Sequence, residues 1–268
     1  MELLGIKEIQ NRLLGVAVVV NKICDKHDIP LFMIAGTMLG AVRHGGFIPW
    51  DDDMDFGVPV EYYDCVIALL EKELPYPYHC LTFENSDTCL VTWIKVEDVE
   101  TVVMEKSLDL SIDEMPGISI DIFPLVSCNP QTCRHIISTI QHIYRINRIV
   151  YMQSTDEKNK WKKDVKKIFK HLFPISSRRL NRLIVEKMKK IPNGEFYNIP
   201  MDPNYLDRFF LKEWFVPQKR YNFEGTEFLG ATNYDAYLKS LYNDYMQLPP
   251  KEKQRVHCEH IYLTLPRN

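Results

Sequence analysis

Residues Phe47-Ile48-Pro49-Trp50-Asp51-Asp52-Asp53-Met54-Asp55-Phe56-Gly57-Val58 place four carboxylates within five positions of an otherwise apolar run. An acidic stretch flanked by strand-forming residues is a constraint as much as a clue, because like charges held together raise one another's pKa unless a positive partner sits among them. Read as a strand over 48–58, side-chain alternation puts Asp51, Asp53 and Asp55 on one face and Asp52 and Met54 on the other. A hard divalent cation, held by carboxylate oxygens and completed by phosphate oxygens, would resolve the repulsion. A solvated acidic turn is the bland alternative, and the strand-like order on both sides argues against it.

Two further elements fit a phosphate-handling site. Upstream, the apolar run ending Ile34-Ala35-Gly36-Thr37 leads into a helical pattern. Glycine there lets backbone N–H groups approach an anion, and the helix N-terminus adds its dipole. Downstream, Ile118-Ser119-Ile120-Asp121-Ile122-Phe123 carries one carboxylate in a strand pattern closed by Pro124. Asp121 reads as a further metal ligand or as the base that takes a proton from an acceptor hydroxyl. Lys95, the one charge within 90–96, is a phosphate contact or a surface lysine with a buried stem.

The 268 residues, 46% hydrophobic and 26% charged, suit a folded globular chain. Seven scattered cysteines lacking a Cys-x-x-Cys pair read as reduced thiols of a cytoplasmic protein. Cys128, Cys133 and His135 lack the spacing of a zinc site. Neither a targeting segment nor an apolar run long enough to cross a bilayer is expected.

Charge is unevenly distributed. Residues 158–190 hold 13 Lys or Arg against Asp164 and Glu186. Trp161, Val165, Ile168, Phe169, Leu172 and Phe173 recur at helical spacing within that basic background. Such a helix can lie on an anionic membrane surface or pack its apolar face on the protein; nucleic-acid binding is not expected, since no recognised motif accompanies it.

Along the chain the pattern predicts a helix over 3–27, strand 31–35, helix 37–43, strand 48–58 and helix 60–73. Strands follow at 90–96 and 118–123, then basic helical sequence to 190 and a loop-rich end with a helix at 233–247. Three regions result: a catalytic core over 1–130, a basic helical region over 131–190, and residues 191–268 completing the fold.

Three blocks carry a resemblance: Ala35-Gly36-Thr37 with Leu39-Gly40-Ala41-Val42-Arg43, Gly46 through Asp55, and Gly117 through Leu125. They resemble the LicD family of phosphocholine transferases, related to the fukutin proteins, and Tyr242-Asn243-Asp244-Tyr245-Met246 extends the match. The resemblance implies an α+β fold, a nucleotidyltransferase-like mixed sheet flanked by helices with a helical extension. It implies transfer of phosphocholine from CDP-choline to a sugar hydroxyl of a teichoic-acid, lipopolysaccharide or capsule precursor, with CMP released. Asp53 and Asp55 would then bind Mg²⁺ or Mn²⁺, with Asp51 beside them and Asp121 completing the site. Gly36 and Thr37 would cradle phosphates, and Arg43 would contact the pyrophosphate or pair with the Asp run. Trp50 is among the aromatic faces available to a quaternary ammonium, with core packing as the alternative. The acceptor, glycan or lipid-linked, would place the protein in the cytoplasm, with peripheral membrane contact through 158–190. A nucleotidyltransferase using an NTP, and a transferase using CDP-ribitol or CDP-glycerol, share the same residues. Asn243 stands where the family usually has Gly, and Val126 where an acidic residue is common.

Overall fold

The chain begins with an edge strand, β1 (Glu2–Leu3), and a long helix, α1 (Ile6–Lys26), whose first turn is closed by the Glu8 carboxylate accepting the Gly5 N–H at 2.8 Å. Ile9, Leu13, Val16, Ala17, Val20 and Ile23 form its buried stripe, as the helical spacing predicts. A computed structural model describes residues 2–87, 89–104, 115–151, 175–201, 208–254, 256 and 261–263.

The elements that follow are β2 (Phe32–Met33), α2 (Ala35–His44), β3 (Asp55–Pro59), α3 (Tyr63–Glu73), β4 (Tyr78–Leu81), β5 (Ile94–Asp98), β6 (Thr101–Val103) and β7 (Ile118–Cys128). Two helices, α4 (Pro130–Tyr151) and α5 (Ser177–Lys189), pack together before β8 (Phe196–Asn198), β9 (Phe210–Leu211), β10 (Lys219–Phe223), β11 (Thr226–Gly230), α6 (Tyr234–Tyr242) and β12 (Ile261–Leu263). The main sheet runs β10-β11-β2-β3-β7-β5-β4, with β8 also on β7 and β9 on β8; β1, β12 and β6 form a second, small sheet. Both parallel and antiparallel pairs occur, so the predicted mixed sheet flanked by helices is the fold observed.

Where the structure departs from the predicted elements, backbone hydrogen bonding explains it. The strand expected over 48–58 is a strand only from Asp55. Pro49 has no N–H to give a ladder, the Asp51 N–H turns back onto the Ile48 carbonyl at 2.9 Å, and Gln10 of α1 donates its amide to the Ile48 and Asp51 carbonyls at 3.3 and 2.9 Å. A buried side chain thus replaces the neighbouring strand. Pairing starts at Met54, whose carbonyl accepts the Asp121 N–H at 3.0 Å. The strand expected over 118–123 runs on to Cys128 through Pro124. That proline falls between Ile122, the last residue paired with β5, and Val126, the first paired with β8, so its missing N–H costs neither ladder a bond.

The end of the chain is richer in strands than its loop-like composition suggests. Glu224 and Gly225, at φ 47° and 82°, form a two-residue turn that folds β10 onto β11, and β11 then pairs with β2. Sequence from both the first and the last predicted region therefore builds one sheet.

The apolar helical stripe Trp161–Phe173 lies outside the described residues. The described part of the basic segment, α5, packs its apolar face: Leu180, Ile184, Val185 and Met188 are buried. Its basic residues pair with acidic groups of the core, Arg178 with Asp87, Arg182 with Glu84 and Lys189 with Asp64. Among the described residues no helix is long and apolar enough to cross a membrane.

Helix α6 ends at Asn243, held at φ 57°, ψ −110°, where an L side chain crowds its own backbone and glycine does not. Glycine, the residue that the resemblance leads one to expect there, would take this backbone without that crowding. Asn243→Gly is expected to stabilise the chain by about 1 kcal/mol, the strain relieved less the entropy cost of glycine. A rise of about 2–4 °C in Tm by differential scanning calorimetry would show it; a fall would mean that Asn243 makes compensating contacts.

Candidate functional site

Three adjacent strands carry the centre of the site in a single row. Asp55 of β3 is the register partner of Asp121 on β7, and Asp121 is the partner of Lys95 on β5. Register partners project to the same face, with neighbouring strands about 4.8 Å apart. The intervening residues, Phe56, Ile120, Ile122, Ile94 and Val96, are buried on the opposite face, which pins the polar row to the open one.

Asp121 is doubly held. Lys95 donates from Nζ to Oδ1 at 2.6 Å, and Trp93 donates from Nε1 to Oδ2 at 2.8 Å. The Trp93 ring rests on Phe123, centroid to centroid 5.0 Å, which fixes the direction of its N–H. Burial works against the charge on Lys95, yet the Asp121 carboxylate outweighs it, with Asp55 contributing, and raises the lysine pKa above its ordinary value. The ammonium therefore stays charged at neutral pH.

The Asp run lies beside the start of α2. Asp51 and Asp52 are buried, Asp53 and Asp55 partly exposed. The alternation predicted for the three carboxylates holds from Asp53 onward, because Met54 and Phe56 are fully buried between and beyond the two partly exposed acids. It does not extend to Asp51, which precedes the strand and instead sits against Gly36. A Cβ on Gly36 would lie 3.0 Å from Asp51 Oδ2. The anion brought closest to that glycine is thus the chain's own carboxylate. Thr37 accepts the Asp55 N–H on Oγ1 at 2.7 Å, so this hydroxyl ties α2 to the strand that carries the acidic row.

Ala35, the first residue of α2, takes φ 48°, and its N–H donates at 3.1 Å to the hydroxyl of Tyr237. Tyr237 is fully buried between Phe210 and Phe215. Arg43, in the last turn of α2, donates from Nη1 to the Tyr245 carbonyl at 2.7 Å and from Nε to His44 Nε2 at 2.9 Å. Burial lowers the Arg43 pKa, while Tyr242 and Asp51 oppose that shift. The structure thus puts Arg43 within electrostatic range of the Asp run. Trp50 is partly buried and packs against the core.

Asp55, Asp121 and Lys95 are therefore brought together, with Asp51, Gly36 and Thr37 alongside. From the sequence, Trp93 is one of several aromatics near the motifs and Tyr237 one of the C-terminal residues that carry the resemblance, and neither is assigned a contact to the site. For Trp93 the signal was present, since it lies two residues before Lys95 and alternation places both on the face of Asp121. Nothing local marks Tyr237, whose partner is 202 positions away.

Among the described residues no three His, Cys, Asp or Glu side chains form a ready-made metal cage. With Asp121 engaged by Lys95 and Trp93, the donor set suits an ion that takes one or two carboxylates and fills its shell from phosphates and water, as Mg²⁺ does. A cation needing an all-protein cage does not fit.

A family model described as LicD/FKTN/FKRP, nucleotidyltransferase domain, matches residues 28–186, which span every residue of the acidic row. The chain is 25% identical over 280 residues to the lipopolysaccharide cholinephosphotransferase LicD of Haemophilus influenzae, an alignment covering 96% of this chain and 97% of that protein. A 38-residue segment is 47% identical to an uncharacterized protein of Rickettsia prowazekii, covering 14% of each. A terminal uridylyl transferase 4 of Trypanosoma brucei with bound GTP aligns over 69% of this chain, which spans 50% of that structure, at 12% identity and a TM-score of 0.23, too low to bear on the fold. The family match extends over more than half of the sequence, and the chain belongs to the LicD/FKTN/FKRP family of nucleotidyltransferase domains.

Proposed function

We propose that this protein transfers phosphocholine from CDP-choline to a sugar hydroxyl of a cell-surface glycan precursor, with the help of Mg²⁺ or Mn²⁺. The observation that carries the reading is the row Asp55, Asp121, Lys95 beside the N-terminus of α2, together with end-to-end similarity to a cholinephosphotransferase. The acceptor hydroxyl attacks the phosphorus that bears choline, the bond from that phosphorus to the bridging oxygen breaks, and CMP leaves. The hydroxyl proton passes to Asp121, which Lys95 and Trp93 aim from two sides. Bound to Asp53 and Asp55, the divalent ion would neutralise charge on the donor phosphates. Asp51, packed on Gly36, keeps the acidic turn in register with α2, and Thr37 fixes the Asp55 backbone.

The acceptor class follows from the same similarity: lipopolysaccharide is the acceptor named for the Haemophilus influenzae relative, and teichoic-acid or capsule precursors offer the same sugar hydroxyl. A lipid-linked precursor would also give residues 158–190 an anionic surface to meet. CDP-ribitol and CDP-glycerol present the same cytidine and pyrophosphate to the site, and differ only in the group transferred.

Asp53→Asn and Asp55→Asn are each expected to lower kcat by about a hundredfold or more, because each removes a charge facing the phosphates. Choline transfer to a glycan acceptor with each purified variant measures it, and activity within a few-fold of the parent would remove these residues from the mechanism. In a thermal-shift panel of CDP-choline, CDP-ribitol, CDP-glycerol and CTP with and without Mg²⁺, CDP-choline with Mg²⁺ is expected to give the largest stabilisation; stabilisation by CTP alone would favour nucleotidyl transfer. Changing Lys162, Lys163, Lys166 and Lys167 to Glu is expected to abolish co-sedimentation of the full chain with vesicles rich in anionic lipid. Unaltered co-sedimentation would dissociate this segment from the membrane.

A further inference from the structure

Trp93 aims its N–H at Asp121 from a stretch of chain that precedes the sheet. The register of β5 begins at Ile94 against β7 and at Lys95 against β4, so residues 90–93 come before both ladders and their carbonyls need other partners. Side chains of three helices supply them. Asn147 of α4 and Asn181 of α5 both donate their amides to the Leu90 carbonyl, at 3.3 and 3.2 Å, and Asn147 also donates to Asn181 Oδ1 at 2.8 Å. Tyr63 of α3 donates its hydroxyl to the Thr92 carbonyl at 2.5 Å. The next residue is Trp93, whose Nε1 lies 2.8 Å from Asp121 Oδ2. Asn147 and Asn181 are 2% and 0% exposed, within the buried stripes that hold Ile140, Tyr144 and Val150 on α4 and Leu180, Ile184 and Val185 on α5. Apolar residues would join those stripes without the cost of burying amides. What the amides add is direction, because a hydrogen bond orients the Leu90 carbonyl and dispersion does not. Arg182 of α5 grips Glu84 of the same loop at 2.6 Å, but that pair is solvent-exposed and holds weakly.

We propose that Asn147 and Asn181 are positioning residues for the transfer reaction: through the Leu90 carbonyl they set the approach of the Trp93 N–H to Asp121. The helical pair α4–α5 then takes part in aligning the base, although none of its residues belongs to the acidic row. The inference rests on the phosphocholine-transfer reading above, in which Asp121 takes the acceptor proton, and adds the buried amides that hold that carboxylate's indole partner in place.

A mutant cycle on the full-length chain tests the proposal. Asn147→Leu with Asn181→Leu keeps the helix interface filled and removes both bonds to Leu90. This variant is expected to lower kcat for choline transfer about tenfold with KM for CDP-choline little changed. In a Trp93→Phe background the same pair of changes is expected to cost nothing further, because the N–H through which the asparagines act is already gone. An equal loss in both backgrounds would mark a general packing defect and overturn the proposal, as would an unchanged kcat in the asparagine variant or in Trp93→Phe alone. A second readout needs no substrate. In protein labelled with fluorotryptophan, the fluorine resonance of position 93, assigned by its absence from Trp93→Phe, is expected to move in the asparagine variant; an unmoved resonance would overturn the proposal. Asn147→Ala, which keeps the Asn181 bond to Leu90, carries both measurements if the double variant does not fold. Failure of the parent protein to transfer choline would overturn the phosphocholine reading instead, and the resonance would still decide whether the asparagines hold Trp93.

Discussion

The parallel pairing of β3 with β7 is the constraint on which the rest of the site depends. It joins residues 66 positions apart, Asp55 and Asp121, and it confines two carboxylates to one open face while Phe56, Ile120 and Ile122 fill the other. Parallel strands need a crossover, and here the intervening chain returns as β4 and β5. That return brings Lys95 to the free side of β7, directly opposite Asp121. The repulsion created by one pairing is thus relieved by the next. A slip of one residue in either ladder would turn Asp121 or Lys95 toward the core, where an unpaired charge is costly.

Much of this arrangement could be read from the sequence, for physical reasons specific to each element. The amphipathic spacing of α1 and the Gly-Thr start of α2 are local, and local periodicity is what a sequence expresses most directly. Asp53, Asp55 and Asp121 stood out because a charge inside an apolar strand pattern demands a partner. Two features escaped. The turn at 48–54 looks like a strand because Gln10, distant in sequence and unremarkable in type, supplies its hydrogen bonds. Composition likewise gave 191–268 a loop-rich character, although the positive-φ pair Glu224-Gly225 folds a hairpin there that enters the main sheet. Side-chain to backbone contacts across long separations leave no periodic trace.

Those long contacts converge on α2. Tyr237 holds the Ala35 N–H, the Tyr245 carbonyl holds Arg43, and Glu224 accepts the Phe47 N–H at 3.3 Å. Gly40 packs so closely on Gly46 that an added Cβ would fall 2.4 Å from its carbonyl oxygen. The first turn of α2, its last turn and the loop that follows are each fastened by a different part of the chain. The C-terminal region therefore contributes less to the acidic row than to the geometry of the helix beside it.

In the proposed reaction that fastening would act through preorganisation. An N-terminal helix turn binds phosphate well only if its N–H groups already point at the anion, since any reorientation on binding subtracts from affinity. Ala35 at φ 48° is a conformation that costs an L residue about 1–3 kcal/mol. The hydroxyl of a fully buried tyrosine, walled in by Phe210 and Phe215, holds it there. Strain is tolerated at the residue that opens α2 because the surrounding packing leaves no room to relax it. The helix start and the acidic row are then coupled by one bond, from the Asp55 N–H to Thr37 Oγ1, so a shift in either moves the other. Phosphate recognition and metal-assisted chemistry would accordingly be set by a single rigid unit, in which the lysine at one end and the tyrosine at the other fix the positions of the carboxylates between them.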